Sequence, residues 1–193
     1  MYSDIELKFL SEKAFENAED LIDDARILLA KNKLARSYVL AHLACEELAK
    51  LPLIYSIRLE LSIGTEIDWK SINRRLSSHE EKLKSIAFFD YLNNIGLVEN
   101  SQSESQYKAQ LNFVKKFNLI KNVGLYAGKL EGKVIAPSQA FSRELVESML
   151  NLAVGRLNCF KQVWPQTISG EITSKHREAY DTISKIYNEL QNS

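Results

Sequence analysis

Four ionisable residues stand where a helix would carry its apolar side. Glu46, Glu47 and Lys50 interrupt an otherwise hydrophobic stretch, and His79 keeps the three-and-four spacing of Trp69, Ile72, Leu76, Leu83 and Ile86. Glu46 aligns at helical spacing with Val39, Leu43, Leu53 and Ile57, and Glu47 with Leu40, Ala44, Leu51 and Ile54. Either alignment brings a carboxylate to the core, where an unpaired charge is costly and partners are required. Glu46 and Lys50 are four apart in the favourable acid-before-base order, which makes one pair. A buried ion pair holding a neighbouring helix is the commoner meaning of such a pattern. The chemical meaning is a carboxylate that orients a base or a cation.

His79 carries the same two readings. Alone on an apolar stripe, a histidine is usually a hydrogen-bonded core residue. Here Arg74, Arg75, Ser78, Glu80 and Lys82 surround it, and Arg74 and Lys82 fall within about one and a half helical turns. A histidine with cations at that range could act as a general base beside an anionic substrate. A third group, Lys121, Asn122 and Tyr126, puts Asn122 and Tyr126 on one side of a later helix. Arg36 and His42 have a step that suits opposite sides of a helix, and His176 belongs to a polar terminal helix and is expected to be exposed. Ser78, His79 and Glu80 are consecutive and make no triad by themselves. The chain has no glycine-rich phosphate loop, zinc spacing or paired-histidine motif, so no metal or cofactor is expected.

The elements that must position these residues read as five or six helices. Residues 3–31 form an amphipathic helix opened by a Ser3/Glu6 capping box. Residues 33–62 form a more buried helix that Pro52 should bend or break near Leu48 and Gly64 should end. A third helix covers 66–92, with Asp68 as a cap. The polar run 93–106 reads as a mobile loop. A fourth helix spans about 107–126, and GKLEGKVIAP at 128–137 is a loop or a very short hairpin. A fifth helix covers about 139–164, with Trp164 in its stripe and Pro165 closing it. A last helix at about 171–191 packs on the core or on a second subunit.

Composition narrows the classes. The 193 residues suffice for one domain, 1–193, with 45% hydrophobic and 26% charged residues. Only 7 Gly and 3 Pro disfavour a many-stranded β protein. The net charge of zero is unlike that of a general polyanion binder, so DNA is not expected and any RNA contact needs a local patch. No signal peptide or membrane-length apolar run is present, which predicts a cytoplasmic protein without a membrane partner. Cys45 and Cys159 are expected to be reduced, buried thiols.

The run AHLACEELAKLPLIY at 41–55, Trp69, RRLSSHEEKL at 74–83, KNVGLYAG at 121–128 and the later Ala136-Pro137 together resemble the AbiV family of bacterial abortive-infection proteins. The likeness covers about 11–165, leaving 166–193 as an extra helix. That family is similar to the HEPN superfamily, many of whose members are dimeric, metal-independent ribonucleases marked by Arg and His four to six residues apart. Lys121-Asn122-x3-Tyr126 has this spacing, with Lys in place of Arg and Tyr in place of His. Arg74-x4-His79 has the residue types but lies on an earlier helix. The resemblance implies an all-α, HEPN-like bundle and a homodimer. It also implies a phage-encoded activator and a toxin-like action on RNA or the translation machinery. For cleavage, His79 would be the base and Lys121, Arg74 or Lys82 the cation. Glu46 or Glu47 would orient them, with Lys50 and Asn122 beside the site. Tyr126, with an ordinary pKa of about 10, would hold a phosphate by hydrogen bond. Two other readings of the same residues are a non-catalytic interaction protein and a module binding a small ligand among Glu46, Lys50 and His79.

Overall fold

The computed structural model describes residues 1–94, 100–130, 132–163 and 170–192. Among these residues there are eight α-helices: α1 (Asp4–Ala30), α2 (Leu34–Leu48), α3 (Lys50–Ser62), α4 (Trp69–Ser77), α5 (His79–Asn94), α6 (Asn100–Leu125), α7 (Arg143–Val163) and α8 (Ser174–Asn192). A hairpin of β1 (Gly128–Leu130) and β2 (Lys133–Ile135) and a 3-10 turn, Pro137–Gln139, join α6 to α7. The fold is an all-α bundle with more helices than five or six, because two continuous apolar patterns are each cut by a local backbone event.

The first cut separates α2 from α3 at Ala49. Pro52 has no N–H for the carbonyl one turn back, so it fits only in the first turn of a new helix, and it is the third residue of α3. The second cut is at Ser78, whose extended backbone ends α4, and whose Oγ accepts from Glu81 N at 3.3 Å to open α5. The third expected helix is therefore two helices, and His79 is the first residue of the second. A further difference lies in the polar run 93–106, where residues 100–106 are helical and begin α6. Residues 95–99 of that run, and Trp164 and Pro165, lie outside the described residues.

α1 opens with the Ser3/Glu6 capping box. It closes with Asn32 at φ 55°, Lys33 N donating to Leu28 O and Asn32 N to Leu29 O. Gly64, at φ 76°, ends α3 with the same pair of bonds, from Thr65 N to Glu60 O and from Gly64 N to Leu61 O. The first of these turns folds α2 back along α1. α2 is the central helix, with ten of its fifteen residues buried. It packs on α1, α7, α6 and α5, and the main core runs through Ala18, Ile22, Tyr38, Leu48, Ile86 and Phe160. α8 packs on α3 of the same chain. Among the described residues no helix is long and apolar enough to cross a membrane. Cys45 is buried as expected, whereas Cys159 is exposed on the outer face of α7.

Candidate functional site

Three helices meet around one carboxylate. Glu46 is 1% exposed, and both of its oxygens are filled. Oε1 accepts from His42 Nε2 at 3.1 Å and from Lys121 Nζ at 2.9 Å. Oε2 accepts from His79 Nδ1 at 2.5 Å and from Lys82 Nζ at 3.1 Å. His42 stands one turn before Glu46 on α2, His79 and Lys82 are three apart on α5, and Lys121 comes from α6. Four donors on two oxygens satisfy the carboxylate completely. Burial pushes the Glu46 carboxyl up. The hydrogen bonds from His42 and Lys121, the charge of Lys82 and the bond from His79 together outweigh it, and hold the group well below the ordinary carboxylate range.

The two histidines differ. His42 is fully buried, and burial, opposed by its bond to Glu46, pushes its pKa down. It is a neutral ring with the proton on Nε2, and its Nδ1 has no hydrogen-bond partner. The cavity beside it measures only about 20 Å³, room for about one water and too small for a nucleotide or similar ligand. His79 has 47% of its side chain exposed, so it faces solvent rather than sitting wholly on the apolar stripe. Its Nδ1 carries a proton because a carboxylate only accepts, which leaves the lone pair of the neutral ring on Nε2. Lys121 Nζ lies 3.1 Å from the same Nδ1, so a cation stands next to the buried side of this ring. Lys82 and Lys121 are themselves buried.

The other residues singled out from the sequence fall elsewhere. Lys50 pairs with Glu47, at 2.7 Å to each carboxylate oxygen, and not with Glu46; this pair is partly buried, with 22% and 18% of the side chains exposed. The loss of register at Ala49 changes the partner that simple four-residue spacing gives. Arg74 is exposed on α4 and Asn122 on α6, while Tyr126, just past the end of α6, is 69% exposed. Among the described residues, none of these three hydrogen-bonds to the cage. His42 is the member that spacing against Arg36 set aside. Its usable signal was a histidine four residues before a buried glutamate, the same one-turn relation that pairs acids and bases on any helix.

Gly124 explains how Lys121 reaches Glu46. A Cβ at Gly124 would lie 2.6 Å from Val39 Cγ2 and 3.3 Å from the Ala35 carbonyl oxygen, so α6 can lie this close to α2 only with glycine there. One turn earlier on α6, Lys121 is then carried into the space beside Glu46. Among the described residues no group of three or more His, Cys, Asp or Glu side chains is placed to hold a metal ion.

A protein-family model described as AbiV matches residues 6–157, a segment that contains all five members of the cage and ends before α8. No curated protein and no solved structure gives a significant match.

Proposed function

This chain belongs to the AbiV family, within the HEPN-like superfamily, and we propose that it works in phage defence as a toxin-like protein that disables RNA at the Glu46 cage. The observation that carries the chemical reading is the contrast within the cage. Glu46, Lys82 and Lys121 are buried and fixed, while His79, held by the same carboxylate, is half exposed. Glu46 sets the His79 tautomer and turns Nε2 into the available base. In the proposed step, Nε2 takes the proton of a ribose 2′-hydroxyl and the 2′-oxygen bonds to phosphorus. The bond from phosphorus to the 5′-oxygen breaks, and water protonates that oxygen. Lys121, buried on the Nδ1 side of the ring, adds positive charge to the site from behind the base. Metal-independent cleavage would leave a 2′,3′-cyclic phosphate. Action as a homodimer, a phage-encoded trigger and a cytoplasmic location belong to the same proposal.

A second reading has its own support. The Glu46 carboxylate has no unfilled oxygen, and three of its four partners are buried, which is what a structural ion cluster requires. In that reading the protein acts by binding a partner. Phage challenge of cells expressing the wild type, Glu47→Ala, His79→Ala or Lys121→Ala, with total-RNA profiling and a thermal melt of each purified protein, separates the two. The nuclease reading expects His79→Ala to keep its fold while losing protection and RNA cleavage. Protection persisting in all three variants removes the cage from the function. Intact RNA in protected wild-type cells removes the nuclease step and keeps the defence role.

A further inference from the structure

On the far side of α5 from the Glu46 cage lies a cavity of about 570 Å³, bounded by α3, α5 and α7 and roofed by α8. Sites for small organic molecules occupy roughly 300–1,000 Å³ and are mostly apolar, with a few fixed polar groups. Six rings line this one: Tyr55, Phe88, Phe89, Phe160, Tyr180 and Tyr187. Phe89 stacks on Phe160 at 4.3 Å, and Tyr187 meets Phe88 edge-on at 4.9 Å, so the rings are fixed by one another and present flat and edge surfaces together.

The charges at the wall are unequal in their pairing. Lys84 donates to Glu81 at 2.9 Å, and Glu60 accepts from Tyr180 at 3.1 Å. Arg75, in the last turn of α4, joins no ion pair among the described residues. A guanidinium at the edge of an aromatic cavity takes a planar carboxylate by two parallel hydrogen bonds or stacks on an aromatic face. We propose that this cavity is a binding site for a flat aromatic molecule carrying one carboxylate, with the ring system between α5 and α8 and the carboxylate on Arg75. The site is separate from the Glu46 cage and does not depend on what the cage does. Because α8 forms one wall, a bound molecule holds α8 to the body of the protein, and binding and α8 order are thermodynamically linked.

The test uses the full chain and a matched pair of probes, 1-pyrenebutyrate and the uncharged 1-pyrenebutanol, followed by pyrene fluorescence and calorimetry. The acid is expected to bind one-to-one with Kd on the order of 10 μM, the efficiency usual for a ligand of that size. The alcohol should bind about tenfold more weakly, the loss of one charge-assisted contact. Arg75→Gln, a change at a partly exposed position, should bring the acid down to the affinity of the alcohol. Ser184→Trp, which fills the cavity from α8, should abolish binding of both. Amide exchange across α8 should slow when the acid is bound. Absence of saturable binding overturns the site, equal affinity of acid and alcohol in the wild type overturns the anion at Arg75, and unchanged binding to Ser184→Trp places the probe elsewhere.

Discussion

Glu46 ties three helices together through hydrogen bonds and the charges of two buried lysines, and its removal is therefore asymmetric. In Glu46→Gln, Lys82 and Lys121 stay buried without a counter-charge, which costs about 3–5 kcal/mol by chemical denaturation at pH 7. The triple change Glu46→Leu, Lys82→Met and Lys121→Met removes the charges together and should recover most of that loss, because apolar side chains of similar volume often replace a buried ion cluster without penalty. Recovered stability without phage protection assigns the cage a chemical role, whereas recovered stability with protection assigns it a structural one. The pH dependence has a defined sign. The Glu46 carboxyl is depressed in the folded protein from its ordinary 4.5, so its stabilisation is complete above that value and is lost as pH falls through the folded value. His42 is depressed from 6.5, so the unfolded chain takes up its proton first, and stability also declines from about pH 6.5 downward. Unfolding curves between pH 7 and 3 should therefore show a progressive acid loss that is shallower in Glu46→Gln.

At the scale of elements, the separation of α6 from α2 is set at Gly124. Gly124→Ala removes backbone freedom from the unfolded chain, but the new methyl meets Val39 and the fixed carbonyl of Ala35. The second effect dominates, and the variant should lose about 1–3 kcal/mol, the usual range for an overpacked core site. It should also move Lys121 away from Glu46, so protection falls together with stability although no charged residue has changed. The breaks at Ala49 and Ser78 act at the same scale. Ser78→Ala removes the hydroxyl that caps α5 and is expected to cost about 1 kcal/mol, read as a shift in denaturant midpoint. Because His79 follows the cap directly, that variant also tests how firmly the helix start holds the ring.

Across the whole molecule, order should be uneven. α2 is buried along most of its length, whereas α8 has no fully buried residue among those whose burial is described, and it lies beyond the segment matched by the family model. Hydrogen exchange should be slowest in α2 and the facing turns of α1 and α7, and much faster throughout α8, since local opening follows the amount of buried contact. Equal protection of α8 and α2 would contradict this ordering. The zero net charge has a consequence at this scale too: any RNA must be drawn by local cations, because the chain as a whole offers no long-range attraction.

Local sequence signals by themselves settled the all-α class, the path of α1 and most of that of α7, the Ser3 and Asp68 caps and the stop at Gly64, since these depend on neighbours within one or two turns. The order of EELAK, SHEEK and KN-x3-Y was enough to indicate the family that the model match establishes. Periodicity also marked Glu46 and His79 as charges needing partners. It could not supply those partners, because hydrogen bonds between residues 33 and 75 positions apart depend on how closely α5 and α6 approach α2, and that distance is fixed by one glycine and one break in a helix. Tertiary structure alone therefore decided that Lys82 and Lys121 meet Glu46 and that His79 keeps one side in water, whereas the His42–Glu46 and Lys50–Glu47 pairs are relations within one turn of chain. Spacing along a helix fixes only which side a residue faces, whereas the approach of another helix determines what it meets there.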